Sequence, residues 1–424
     1  MNSPEKDLKK VAQDFMGELL QGDFTSAWSR FDEDMKNALN QEQLEEAWVN
    51  TLAPAGALLQ QNEMDITPME GYHMVTIHYG FQRADIEVKI VFKKEGKISG
   101  LNFIPTTTEY HPPDYVDPSA FREVEVTVGE GKWALPGTLS MPAGSGPFPG
   151  VVLVHGSGPN DQDETIGPNK IFRDLAGGLA SKGIAVLRYN KRTFQYAKEL
   201  SAQELEDITV KEEVIDDALR AIHLLRHTEN IDPLRVYLLG HSLGATLAPR
   251  IGREDNNLAG IILMAGITRS LEETILDQYT YLYNLKGEIS KNEQAKLDDL
   301  KEKVEKLKDP DFVKNITRQD LPLEMPVNYW KDLREHDPSS IIKSLDMDIL
   351  VLQGGRDYQV LESVDFKGWR DALKSKDNAS FQVFPSLNHL FIAGEGKSTP
   401  QEYLVEGHVE KEVIDCIVEW INKR

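Results

Sequence analysis

The sequence predicts an α/β protein with a mostly parallel, doubly wound sheet, preceded by a small α+β domain. Three observations lead there. From residue 150 onward, continuous apolar runs (Val151–Val154, Ile184–Tyr189, Ile261–Ala265, Ile349–Leu352) alternate with amphipathic helical stretches, as strands buried on both faces and joined by crossover helices require. The first hundred residues instead carry three helical patterns and then a period of two, which reads as helices followed by antiparallel strands. Between the later runs lies Val236–Ala245, where four apolar residues enter Gly240-His241-Ser242-Leu243-Gly244 and a helical pattern follows at once.

Composition narrows the function classes. The 424 residues suit two or three domains, and 40% hydrophobic content is enough for real cores. A net charge of −22 repels phosphate backbones and anionic lipid, which argues against nucleic-acid or membrane partners. The single Cys416 excludes an internal disulfide framework and a cysteine metal site; it falls in the apolar pattern Val413, Ile414, Ile417, Val418, Ile421 and reads as a packed core thiol. No apolar run reaches the roughly 20 residues of a membrane span. The first residues lack the apolar segment of a secretory signal, so the expectation is a soluble cytoplasmic protein, or an extracytoplasmic one if a leader has been removed.

In chain order, Ser3 and Pro4 read as N-cap and first turn, with Leu8, Val11, Phe15 and Leu19 on one helical face. Gly22-Asp23 breaks that pattern, Phe24 to Phe31 resumes it, and Asn40 to Gln43 reads as a capping box before Leu44, Ala47 and Trp48. After a loop at Pro54 and Gly56, alternation begins near Met74, continues through Ile86, Val88, Ile90 and Phe92, turns at Glu95-Gly96 and ends at Ile104. Residues 1–105 are thus one small domain, and the proline-rich stretch 106–120 is a linker expected to stay extended and outside both cores. His73 and His78 lie on the sheet, and a structural role outweighs a ligand role for both.

The second domain, residues 121–424, opens with a hairpin of Val124–Val128 and Trp133–Met141. Its parallel strands follow in turn, with helices carrying Phe172, Leu175 and Leu179, then Val214, Ala218, Ile222 and Leu225. Residues 267–345 interrupt the rhythm and read as a helical cap insertion. Its aromatics Tyr279, Tyr281, Tyr283, Tyr329 and Trp330 either line an acyl or alcohol pocket or pack within the cap. A closing helix spans about His408 to Asn422.

The chemistry starts at Ser242. A G-x-S-x-G turn between strand and helix is a nucleophile elbow: the glycines let strand and helix pass closely, the serine projects from a strained turn, and the N–H of Leu243 faces the reacting centre. A serine hydroxyl needs a base held in one tautomer by an acid. Asp357 lies just past one buried strand and His389 just past the next, both at carboxyl strand ends, where open α/β sheets place their sites. Ser242 is therefore read as nucleophile, Asp357 as acid and His389 as base. Asp365 or Glu362 are the substitutes for the acid and His408 for the base. His155 and His241 flank the catalytic turns as buried hydrogen-bonding groups. Asp161, Asp163 and Glu164 invite a metal reading, which helix capping and charge at the pocket mouth outweigh. Gly177-Gly178 makes no dinucleotide fingerprint, there is no P-loop, and the chemistry requires no cofactor.

These pieces, "LVHGSGPNDQDETIGPNK", "GHSLG", "LQGGRDYQV" and "LNHLF", resemble the bacterial α/β-hydrolase-fold serine esterases. The resemblance implies a Ser242–Asp357–His389 triad and a second oxyanion N–H from the turn after the third strand, assigned to Ser157 with Gly158 as the alternative, beside Leu243. The stretches "GDFTSAWSRF" and "GKISGL" resemble the cone-shaped α+β domains of the nuclear-transport-factor-like superfamily. Such a domain gates substrate, holds a homodimer or stabilises its neighbour. The expected function is hydrolysis of a small-molecule carboxylic ester through an acyl-enzyme. The rivals are a thioesterase or acyltransferase, a peptidase on the same triad, and a non-catalytic ligand-binding module.

Overall fold

A computed structural model of the chain describes residues 4–51, 58–69, 71–81, 85–93, 96–106, 110–285, 287 and 289–423. The N-cap expected at Ser3 and the loop at Pro54 and Gly56 lie outside them. Two compact units emerge. One comprises Met1–His111 with the short segments Ile166–Asn169 and Pro400–Gly407; the other comprises Pro112–Thr165, Lys170–Thr399 and His408–Arg424.

In the first unit, helices Pro4–Leu20, Phe24–Ser29, Glu33–Ala38 and Gln41–Thr51 precede an antiparallel sheet of β1 (Leu58–Met69), β2 (Tyr72–Phe81), β3 (Asp85–Lys93) and β4 (Ile98–Thr106), paired in that order. The helix breaks have local causes. Asp23 accepts from the Ser26 N–H at 3.0 Å, and Asn40 and Gln43 exchange reciprocal capping bonds at 2.9 Å. Phe15, Leu19, Ala27, Phe31 and Leu44 bury against Val75, Ile77, Tyr79, Ile86, Val88, Ile90 and Phe92. Strand β1 escapes the sequence reading. It is an edge strand with two register shifts, its Gln60 and Gln61 are exposed, and it tolerates Pro68 because an edge N–H has no ladder partner to lose. His78 faces Glu87 on the neighbouring strand, with Nε2 and Oε2 3.5 Å apart.

The second unit is built on an eight-stranded sheet. After β5 (Phe121–Val128), β6 (Leu135–Pro142) and β7 (Phe148–Val154) the chain makes a short ribbon, β8 (Thr165–Ile166) and β9 (Asn169–Lys170), whose residues Ile166 and Asn169 count with the first unit. Then follow β10 (Ala185–Tyr189), β11 (Ile231–His241), β12 (Gly260–Met264), β13 (Asp348–Gly354) and β14 (Ala379–Phe384). The order is β14-β13-β12-β11-β7-β10-β6-β5. Strands β10, β7, β11, β12, β13 and β14 run parallel, and β6 and β5 join antiparallel. Residues Val151–Val154 and Ile261–Met264 are all buried. Each such side chain contributes about 1.5–3 kcal/mol on leaving water. The order reverses between β7 and β11, which puts a switch point at their carboxyl ends.

The linker expectation fails in part. A Cβ on Gly177 would meet Val116 and one on Gly178 would meet Tyr115, and Tyr115 donates to the Val409 carbonyl at 2.6 Å. Tyr115 and Val116 thus place this stretch against helix Ile171–Ala180 and tie it to Val409. Cys416 is only half-buried, and it lines a groove with Phe381 and Phe384 of β14 rather than packing fully into the core. In the insertion, Leu307, Ile316, Leu321 and Trp330 form a separate small core.

Candidate active site

Strand β11 ends at His241, and Ser242 follows with a φ of 52° and a ψ of −113° that lie outside the regions ordinary side chains favour. Such a conformation costs of order 1–3 kcal/mol and persists only where its surroundings fix it. Here the Ser242 N–H donates to the Met264 carbonyl at 2.8 Å, and the Ser242 carbonyl accepts from the Thr246 N–H at 3.0 Å and Oγ1 at 3.1 Å. A Cβ on Gly240 would overlap the Gly244 backbone, and one on Gly244 would overlap the Val154 carbonyl. Leu243 is the first residue of helix Leu243–Glu254, so its N–H has no acceptor within the helix.

Asp357 follows β13, and His389 lies in the loop after β14. Nδ1 of His389 is 2.7 Å from Oδ2 of Asp357, with both residues buried. A carboxylate only accepts, so Nδ1 is the donor in this bond and Nε2 is the ring nitrogen left for other partners. Asp357 is fixed in turn by the N–H groups of Gln359 (2.8 Å) and Val360 (3.0 Å) on Oδ1 and by Gln353 Nε2 (3.1 Å) on Oδ2. Two of the three substitutes are committed elsewhere, and the third, Glu362, is exposed. Asp365 binds Arg269 and the Thr268 N–H, and His408 pairs with buried Asp174.

His241 ties the Ser242 turn to the His389 loop. Its Nε2 is 3.0 Å from the His389 carbonyl and its Nδ1 is 3.1 Å from Oε1 of Glu164. Both partners offer acceptor oxygens, an arrangement that favours protons on both ring nitrogens. Burial by itself would lower the His241 pKa, but the Glu164 carboxylate and its hydrogen bond raise it. Burial likewise opposes the Glu164 charge, and His241 holds that carboxyl below its usual value. Burial pushes neighbouring His155 down to about 4, which keeps it neutral.

The turn after β7 is gripped at both ends of one residue. The Gly156 N–H donates to Oε1 of Glu164 at 2.6 Å, and the Gly156 carbonyl accepts from Nζ of Lys191 at 2.9 Å. A Cβ on Gly156 would lie 2.9 Å from that Glu164 oxygen and 3.2 Å from Cβ of Ser242, so only glycine lets the turn approach the serine. The three acids of the metal reading part ways. Asp161 caps Thr165, Asp163 binds Arg188 at 2.9 Å, and Glu164 serves Gly156 and His241. Sequence reasoning missed Lys191; its one signal is a lysine placed directly after the buried run Ile184–Tyr189 and Asn190. Of the cap aromatics, Tyr281 stacks on Tyr358, next to Asp357, with centroids 4.9 Å apart. Tyr329 donates to Glu213 at 2.8 Å, and Trp330 packs inside the cap.

An elbow serine, an aspartate–histidine pair and a glycine turn at neighbouring strand ends define an α/β-hydrolase-fold serine hydrolase. A family model described as "Serine aminopeptidase, S33" matches residues 151–395, more than half of the chain, and the chain belongs to that family. A second model, described as "Protein of unknown function (DUF3887)", matches residues 12–101. Esterase EstD of Thermotoga maritima is 43% identical over 410 residues, covering 96% of this chain and 94% of the relative. Esterase FrsA of Klebsiella pneumoniae is 28% identical over 158 residues, 36% of this chain and 34% of the relative. Among solved structures, Est1E from Butyrivibrio proteoclasticus aligns with a TM-score of 0.44 at 15% identity, covering 70% of this chain and 99% of that one. Within its family the chain is a serine hydrolase of the esterase class. Among the described residues no helix is long and apolar enough to cross a membrane.

Proposed function

We propose that the chain cleaves carboxylic esters through an acyl-enzyme carried by Ser242. Nε2 of His389 takes the Ser242 proton as Oγ attacks the ester carbonyl, then passes it to the leaving alcohol. The same nitrogen next activates water to release the acid. Asp357 holds the ring in the required tautomer and stabilises the imidazolium that forms. The N–H groups of Leu243 and Ser157 receive the oxyanion, each worth about 3–4 kcal/mol in such sites. The observation that carries this reading is the 2.7 Å bond from His389 Nδ1 to Asp357. It leaves the opposite ring nitrogen as the base, at the sheet edge where Ser242 projects.

The first unit, an antiparallel sheet with four helices, supplies no catalytic residue in this reading. Its architecture suits the nuclear-transport-factor-like class, and its role is to shape access or to hold a second copy. The peptidase alternative is favoured by the description of the matching family and is tested alongside.

The experiment is hydrolysis of p-nitrophenyl esters from acetate to long acyl chains, by wild type and Ser242→Ala, with aminoacyl p-nitroanilides in parallel. Ester turnover lost in the variant, with fluorophosphonate labelling confined to wild type, is the expected result. Undiminished turnover in Ser242→Ala would overturn the mechanism, and amide turnover exceeding ester turnover would transfer the assignment to peptides.

A further inference from the structure

Lys191 is 2% exposed, an unusual place for an ammonium group, since lysines are almost never fully buried unless paired. Its Nζ has two partners: the Gly156 carbonyl at 2.9 Å and Oε2 of Glu213 at 3.4 Å. Glu213 is itself buried, on a π-helical turn, Lys211–Ile215, a distortion that recurs at functional sites. Its Oε1 accepts from Thr193 Oγ1 at 2.6 Å and its Oε2 from the Tyr329 hydroxyl at 2.8 Å. Tyr329 belongs to helix Val327–Glu335 of the cap insertion. A continuous path therefore runs from the cap through Tyr329, Glu213 and Lys191 to one peptide oxygen of the turn beside Ser242.

That oxygen belongs to the peptide linking Gly156 to Ser157. A trans peptide sets its C=O and N–H antiparallel, so anchoring the oxygen fixes the direction of the Ser157 N–H. A cation on the oxygen also polarises the amide, making its N–H the stronger donor. Asn160 Nδ2, 3.2 Å from the same oxygen, adds a neutral bond. The carboxylate of Glu164 on the preceding N–H fixes the other side of Gly156. A simple structural lysine would be served as well by any carbonyl; this one is spent on the peptide that offers the oxyanion donor.

We propose that Lys191 is a positioning residue for the oxyanion hole, and that Glu213 and Tyr329 link its position to the cap. The inference rests on the acyl-enzyme reading above. Lys191 acts through the Gly156–Ser157 peptide and takes no proton from substrate.

The test compares wild type, Lys191→Met, Lys191→Arg and Tyr329→Phe, with Ser242→Ala as the control for the underlying reading. Three readouts are taken: kcat and KM on a short p-nitrophenyl ester, inhibition by an aryl trifluoromethyl ketone, and the infrared carbonyl stretch of the acyl-enzyme. The ketone adds Ser242 Oγ to its carbonyl carbon and places an oxyanion in the hole. Lys191→Met is expected to lower kcat about 10- to 100-fold, short of the 10²–10³ for losing a donor outright. KM should change little, ketone inhibition should weaken in proportion to kcat, and the carbonyl stretch should rise. Lys191→Arg should restore part of each, and Tyr329→Phe should shift the stretch the same way by less.

A Lys191→Met enzyme with unchanged carbonyl stretch and unchanged ketone affinity overturns the proposal, whatever happens to kcat. If Lys191→Met does not fold, Tyr329→Phe decides on the same two readouts. Activity surviving in Ser242→Ala would instead strike the acyl-enzyme reading itself.

Discussion

Two buried histidine–carboxylate pairs lie side by side in this molecule, with the rings of His241 and His389 4.8 Å apart, and they are built for opposite purposes. His389 gives one nitrogen to Asp357, whose oxygens are otherwise filled by neutral donors. His241 gives both nitrogens away, one to Glu164 and one to the His389 carbonyl. The first ring has Nε2 left to take a proton; the second has both nitrogens engaged by acceptor oxygens and offers no site for one. In the proposed mechanism, similar residue pairs in similar burial become a base or a brace according to what the second nitrogen meets.

The comparison can be broken by experiment. His389→Ala should cost on the order of 10⁶ in kcat, as losing the base of a triad does. Asp357→Asn should cost about 10⁴ through the wrong tautomer, with little loss of stability. Urea unfolding separates these from the brace. His241→Gln strands the Glu164 carboxylate, one oxygen of which is already buried without a hydrogen-bond partner among the described residues, and should destabilise by roughly 3–5 kcal/mol. A His241→Gln enzyme as inactive as Asp357→Asn, yet fully stable, would show that the two pairs share one task.

The pH dependence sharpens the same contrast. His241 has a raised folded pKa, so its contribution is complete below the unfolded value and is lost as pH climbs through the folded one. Glu164 has a lowered folded pKa, so its contribution is complete above the ordinary carboxylate value and is lost as pH falls through the folded one. In His241→Gln, burial without a cation should raise the Glu164 pKa, and stability should then increase on acidification through the carboxylate range. His155 gives the smallest effect. With its pKa lowered from 6.5 to about 4, it should remove about 3 kcal/mol as pH falls through that interval. His155→Gln should flatten that slope in urea titrations at successive pH values.

Much of the architecture was legible because it rests on local chemistry. Val151–Val154 and Ile261–Ala265 are too uniformly apolar to be anything but interior strands, and the Gly240–Gly244 turn announces itself by the two glycines that a close strand–helix crossing demands. Strand β1 was not legible, because an edge strand with bulges need not alternate. The docking of Tyr115 and Val116 was hidden among prolines that by composition belong to a linker.

What the sequence by itself determined is the order of elements and the position of Ser242, Asp357 and His389 at the ends of apolar runs. Spacing along the chain and strand ends are properties of contiguous residues. What only the tertiary structure decided is which charges meet. Glu164 read as loop charge, Lys191 and Glu213 had no reading at all, and Asp161, Asp163 and Glu164 looked like one cluster. The contacts that decide the roles of Lys191, Glu213 and His241 cross about 20 to 150 positions of chain, from Lys191 with Glu213 and with Gly156 to His241 with His389. Desolvation makes each of those charges costly until its partner arrives, and the partner is chosen by the packing of the whole sheet rather than by any neighbour in sequence.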